Sequence, residues 1–297
     1  MKLDVYQLVT DRIVELLEQG VVPWKSPYLS KVGHPRNFST KKPYRGINVF
    51  LLASRRFTSP WFMTFLQAKE LGGHVRKGEK GCMVVKYGTF EKEVEDTATG
   101  TVEEKKLGYL KSYTVFNASQ IEGIAFPSPA PLPVLTASEI TAQARQIVAG
   151  MPNPPTIKEG YAIPSYSQGT DSVQMPERGY FDAETAYYST LFHELGHATG
   201  HSSRLARKTL LENKGMFAVK DEARKIYAEE ELVAEMTAAF LNAHAGIMEA
   251  EIESSAAYLQ GWIFALKSKN ARSWIVRAAS QAQKAADYIL DEAPGEP

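Results

Sequence analysis

The chain has 297 residues, 44% of them hydrophobic, and its 34 basic side chains balance 34 acidic ones. That composition describes a soluble globular protein long enough for two domains. No apolar run approaches the ~18 residues of a membrane helix. Asp4, Asp11 and Glu15 exclude a signal peptide at the start. With the single Cys82 unable to form an internal disulfide, a reducing cytoplasm is the expected home.

The first predicted element is a helix in "DVYQLVTDRIVELLEQG", with apolar Val5, Leu8, Val9, Ile13, Leu16 and Leu17 on one face and Gly20 as its stop. A basic stretch follows, and residues 1–90 carry a net +9. "TFLQAKELGG" (64–73) reads as a second helix. "GCMVVKYGTF" and "KLGYLKSYTVFNASQI" read as strands flanking an acidic, turn-rich insert, "EKEVEDTATGTVEEKK". Cys82, inside the first strand, is expected to be a small buried residue. Four prolines in "FPSPAPLPV" mark a stiff linker. The predicted organisation is therefore a domain over 1–126, a linker over 127–135 and a second domain over 136–297. Residues 1–126 carry a net +6 and the remainder a net −6.

Downstream, "SEITAQARQIVAG" predicts a helix and "PNPPTIKEGYAIPSYSQGTDSVQMP" an extended segment. "DAETAYYSTLFHELGHATGH" predicts a helix with Asp182 as N-cap. "AEEELVAEMTAAFLNAHAG" predicts a helix closed by Gly246, and two more helices follow in "IESSAAYLQGWIFALKS" and "ARSWIVRAASQAQKAADYIL". The fold class is α+β: a mixed N-terminal domain, then a mostly helical one.

The helix predicted in "DAETAYYSTLFHELGHATGH" contains H-E-x-x-H. Residues i and i+4 share a helix face, so His193 and His197 can grip one ion while Glu194 acts as general base on an activated water. Leu191, Phe192, Leu195, Gly196 and Ala198 make this a buried helix, where histidines need partners. A third ligand is required. Gly200 fits the longer metzincin pattern, but Ser203 stands where that pattern needs histidine. The alternative is a glutamate of "YAEEELVAEM": Glu229, Glu230, Glu231 or, one turn on, Glu235. Glu231 is favoured, because its face carries small Ala234, Ala238 and Ala239 and allows close helix approach. Glu235 would then accept a histidine N–H. The pattern is similar to that of thermolysin-like gluzincins. Zn2+ is the expected cofactor, with Mn2+ or another divalent transition metal as alternatives. Tyr187, Tyr227 and His201 are conceivable oxyanion donors.

In the basic stretch, cations interleave with rings. Trp24, Lys25, Arg36, Lys41, Lys42, Tyr44, Arg45, Arg55, Arg56, Trp61, Arg76, Lys77 and Lys80 are the candidate contacts to single-stranded DNA, rings stacking on bases and cations following phosphates. The alternative is that Trp24, Tyr44 and Trp61 are core residues of a small domain.

"GVVPWKSPY", "PRNFSTKKPYRGINVFLL", "SPWFMTFLQAKELGGHVRKGEKG" and "VFNASQIEG" resemble the N-terminal domain of plasmid antirestriction proteins of the ArdC family. "YYSTLFHELGHATGHSSRL", "YAEEELVAEMTAAFL" and "AASQAQKAADYIL" resemble the zincin-like metallopeptidase domain that follows it there. The resemblance implies single-stranded DNA binding without sequence specificity and protection of incoming conjugative plasmid DNA from host restriction. It also implies an HExxH peptidase acting on a protein substrate, such as a host restriction component, and delivery to the recipient cytoplasm during conjugation. The rival readings are a DNA-binding protein whose metal domain is catalytically idle and a housekeeping protease with an incidental basic face.

Overall fold

The computed structural model describes residues 4–25, 32–95, 102–128, 134–212, 221–248, 256–268 and 271–293. Helix α1 (Val5–Glu18) starts where the Asp4 carboxylate accepts the N–H groups of Tyr6 and Gln7, and it ends before Gly20 at φ 76°. Its Val9, Ile13 and Leu17 are buried. Strand β1 (Arg36–Asn37), helix α2 (Ile47–Ala53), strand β2 (Trp61–Thr64) and helix α3 (Phe65–Glu70) follow. Thr64 and Gln67 form a capping box, so the expected second helix is shorter than predicted and preceded by a strand.

Strand β3 (His74–Val75) pairs with β6 (Ile121–Glu122). Between them lie β4 (Cys82–Glu95) and β5 (Val102–Asn117), one long antiparallel hairpin. The main sheet runs β1-β2-β5-β4. The acidic insert is thus largely strand, with Glu95 in register with Val102, while residues 96–101 lie outside the described residues. Its composition reads as a turn, yet a paired partner strand satisfies its backbone.

In the second half, α4 (Ala137–Gly150) is opened by a Thr136/Glu139 capping box. A three-stranded sheet follows: β7 (Thr156–Glu159), β8 (Ser165–Ser167) and β9 (Ser172–Met175), in the order β7-β9-β8. Then come α5 (Glu184–Ala198), α6 (Lys208–Leu211), α7 (Asp221–Ala245), α8 (Ala256–Leu266) and α9 (Trp274–Ile289). Ala183, not Asp182, occupies the N-cap of α5, with no side-chain cap bond: the helix begins one residue later than the sequence suggests. No described helix is long and apolar enough to cross a membrane.

The two halves share one interior. Val9, Ile13, Leu17 and Phe50 belong to the same buried cluster as Phe192, Leu232, Leu241, Ile275 and Ile289. The Phe50 and Phe240 rings stack at 4.8 Å, and Trp24 meets Trp262 edge-on at 6.3 Å. Arg45 pairs with Asp287, and the Gly46 N–H donates to Gln283 Oε1 at 3.2 Å. Helix α9 buries Ala278, Ala279, Ala282 and Ala286, and a Cβ on Gly46 would stand 3.6 Å from the Ala279 carbonyl oxygen. Of the predicted linker, residues 129–133 lie outside the described residues.

Candidate metal centre and nucleic-acid face

Helix α5 delivers His193, Glu194 and His197 because its Leu191, Phe192 and Leu195 anchor it in the core. Helix α7 crosses it closely. A Cβ on Gly196 would stand 3.0 Å from Ala234 Cα and 3.2 Å from Thr237 Cβ, so any larger residue between the histidines would push the two helices apart by a few tenths of an ångström. The crossing brings two adjacent glutamates to the histidine pair. His193 Nε2 lies 3.2 Å from His197 Nε2, 3.4 Å from Glu231 Oε2, and His197 Nε2 lies 3.6 Å from Glu231 Oε1. Among the described residues, these three form the one group that could hold a metal ion, their donor atoms all within 4.8 Å of one another.

The other glutamates have different occupations. Glu229 takes a two-pronged grip from Arg277, at 2.9 Å on each oxygen. Glu230 is fully buried and receives the His197 Nδ1–H at 3.2 Å. The partner of that N–H is therefore Glu230 and not Glu235, because the phase of α7 at the crossing turns Glu230 towards the His197 ring edge. With Nδ1 donating to a carboxylate, Nε2 is the His197 nitrogen left for a cation, and it faces His193 and Glu231. Two imidazole nitrogens and a carboxylate converging within 4.8 Å suit a divalent cation, which would take the place of the proton His197 carries without it.

Glu230 is itself held by Arg207, whose Nε donates to Oε2 at 2.9 Å and Nη2 to Oε1 at 2.5 Å. Thr209 Oγ1 adds a third donor. Arg207 also donates to Gly196 O at 2.8 Å and Thr199 Oγ1 at 2.9 Å, tying the segment after α5 to the last turn of that helix. Gly200 is part of this arrangement, since a Cβ there would sit 2.9 Å from Arg207 Nη2. Nothing in "SSRLARKTL" marks Arg207 as part of the centre. The signal is tertiary.

The electrostatics follow from these contacts. Burial pushes Glu230 up, but the hydrogen bonds from Arg207 and His197 outweigh it and bring the carboxyl to about 2. Burial also opposes charge on His197, yet Glu230 and Glu231 together raise it to about 10. Burial raises Glu194, and the neighbouring histidines only partly offset this, so its carboxylate is a readier proton acceptor than an exposed one. Of the conceivable oxyanion donors, Tyr227 lies near Glu231, and burial together with that carboxylate pushes its hydroxyl up to about 12. Tyr187 is buried with its hydroxyl on Glu159 at 2.8 Å, and His201 Nδ1 lies 2.8 Å from Ser203 Oγ.

The basic candidates divide. Trp24 is 3% exposed and packs against Trp262 in the join between the halves, so its ring is a core residue rather than a surface one. Arg45 is spent on Asp287 in the same join. Tyr44 is half-buried against the cluster of Leu52, Phe62, Cys82 and Val84. Lys25 is half-buried. Trp61 is half-buried beside Phe38, with the Lys41 ammonium 3.5 Å from the Phe38 centroid and 5.2 Å from that of Trp61. Arg36, Lys42, Arg55, Arg56, Lys77 and Lys80 are exposed, and Arg76, also exposed, pairs with Glu79 at 2.5 Å. Lys41, Trp61 and Arg36 thus gather at the β1–β2 end of the sheet, while the other cations spread over the surface.

The histidine helix, its glutamate-bearing partner and the small sheet beside them define a zincin-like metallopeptidase domain. Residues 143–281 match the family profile described as zincin-like metallopeptidase. Residues 3–116 match the N-terminal domain of the anti-restriction factor ArdC. The chain is similar to two crystal structures of the antirestriction protein ArdC from the R388 plasmid. One is metal-free (TM-score 0.72, 40% identity, 97% of each chain), and the other is Mn(II)-bound (TM-score 0.71, 36% identity, 97% of this chain and 98% of that one). It is 31% identical to an uncharacterized protein of Sinorhizobium fredii over 96% of this chain and 91% of that one. It is 33% identical to two Escherichia coli DNA primases TraC, matching 27% and 20% of their lengths. The chain belongs to the ArdC antirestriction family.

Proposed function

We propose that the protein shields incoming plasmid DNA from host restriction by two activities. The first half binds single-stranded DNA without sequence preference, and the second hydrolyses a peptide bond in a protein of the restricting host. The observation that carries the peptidase reading is the convergence of His193, His197 and Glu231 beside the buried carboxylate of Glu194. His193, His197 and Glu231 would hold a divalent cation. Zinc is favoured by the donor set, and manganese by the Mn(II)-bound ArdC relative. The bound cation supplies Lewis-acid polarisation of the scissile carbonyl and acidifies the attacking water. Glu194 takes the proton of that water and passes it to the departing amine, a role suited to its raised pKa. Glu230 fixes the His197 tautomer, and Tyr227 stands beside Glu231 as a hydroxyl donor within the site. The net +6 of residues 1–126 supports a polyanionic partner for the first half.

The test is transfer of an unmodified plasmid into a restricting host, with the donor supplying wild type or Glu194→Gln. The substitution preserves shape and the three metal-binding side chains but removes the base. Protection by wild type alone supports the reading. Equal protection by both overturns the peptidase part and leaves a DNA-binding protein with an idle metal domain.

A further inference from the structure

The β4–β5 hairpin carries an aromatic and basic face whose Tyr109, Lys111 and Tyr113 lie beyond the basic stretch of residues 21–90. Side chains alternate along a strand. Val84, Lys86, Gly88 and Phe90 therefore share a face with Tyr113, Lys111 and Tyr109, their cross-strand neighbours in register. At its root this face is covered: Val84, Cys82 and Val115 are buried with Leu52 and Phe62. The opposite face turns inward through Val85, with Met83 and Leu110 packed against the main core. Further out, the first face meets solvent, with Phe90 48% and Tyr113 44% exposed and Lys86 and Lys111 exposed between them.

Three features make this face a prepared surface. Tyr109 lies across Gly88 on the neighbouring strand. A Cβ at Gly88 would stand 2.4 Å from Tyr109 Cζ, so the glycine is what lets the ring lie on the ribbon. Phe90 flanks that ring at 6.0 Å, and Lys111 Nζ stands 5.0 Å from its centroid. Lys86 and Lys111 are directly opposite, an arrangement that costs stability when nothing anionic lies between them. No acidic residue shares this face between Cys82 and Phe90 on β4 or between Leu107 and Val115 on β5, and the exposed Arg55 stands near Cys82 at the root. Along β5 the order is ring, cation, ring at every second residue. Tyr109 and Tyr113 are thus about 13 Å apart with Lys111 midway.

We propose that this hairpin face, through Lys86, Phe90, Tyr109, Lys111 and Tyr113, is a stacking platform for single-stranded nucleic acid. The inference rests on the single-strand-binding reading above and assigns it a place. Exposed rings need bases with free faces, which a single strand offers and a duplex hides inside its stack, while the paired lysines need phosphates.

The experiment is fluorescence anisotropy of a labelled oligothymidylate with the full-length protein over a salt series. The double variant Phe90→Ala/Tyr113→Ala is expected to bind about tenfold or more weakly. Tyr113→Phe, which keeps the ring, is expected to bind as wild type. Lys86→Gln/Lys111→Gln keeps every ring and is expected to lower the slope of log K against log salt by about 1.4. This pair also decides the matter if the ring variant fails to fold. Wild-type binding with unchanged affinity and slope in the hairpin variants overturns this placement and leaves single-strand binding intact. Lost antirestriction in those same variants would then assign the face to a protein partner. Absence of binding by wild type overturns both readings.

Discussion

Replacing Arg207 with methionine keeps much of the side chain's length and removes its charge. Arg207 is 2% exposed and Glu230 0%, so the carboxylate cannot turn to water for replacement donors. Breaking a buried pair from one side costs about 3–5 kcal/mol. The protonation behaviour of Glu230 gives a similar figure. Its carboxyl falls from 4.5 to about 2, and at about 1.4 kcal/mol per unit that is about 3 kcal/mol of native-state preference for the ionised form, shared between Arg207 and His197. This contribution is complete above pH ~4.5 and disappears as pH falls towards 2, because the native pKa is the depressed one. Urea unfolding of metal-free protein at pH 7 measures the loss. Arg207→Met/Glu230→Leu, which removes both charges, is expected to recover most of the stability. It should nevertheless bind its cation about 10- to 100-fold more weakly, since His197 Nδ1 has lost its carboxylate. A cost below about 1 kcal/mol for Arg207→Met, or full cation affinity in the double variant, would refute the reasoning.

Glu231→Ala is expected to abolish stoichiometric Zn2+ or Mn2+ binding in titration calorimetry, whereas Glu229→Ala, whose carboxylate serves Arg277, should retain it. Glu194→Gln should keep the cation but lose peptide hydrolysis by about 10²- to 10⁴-fold, read with a fluorogenic peptide library. Gly196→Ala drives a methyl to 3.0 Å from Ala234 Cα, and a loss of about 1–3 kcal/mol with weakened cation binding is expected from thermal unfolding with and without metal. Because one core runs from Val9 to Ile289, calorimetry of the full chain should show a single cooperative transition. Two separated transitions would show that the halves unfold independently.

Local chemistry made part of this protein readable. The phase of α1, the i and i+4 placement of His193 and His197, and the small-residue face behind Glu231 are properties of one helix at a time, and the three side chains meet in the structure. The division of labour among neighbouring glutamates was not local. Glu229, Glu230 and Glu231 differ by one residue each, a rotation of about 100° per step. The phase of α7 where it crosses α5 decides which faces Arg277, which the His197 Nδ1–H and which the histidine Nε2 atoms. Trp24 and Trp61 show the same limit, each a tryptophan within the basic stretch of the sequence. Trp262, far along the chain, buries one, while the other stays half-exposed at the start of β2. The "EKEVEDTATGTVEEKK" segment reads as a turn by composition, yet its residues 91–95 and 102–106 form paired strands that supply each other's backbone bonds. Periodicity and spacing fix which side of an element is apolar and which residues can act together. What each side then touches depends on elements distant in sequence, and that pairing is set by how the whole core packs.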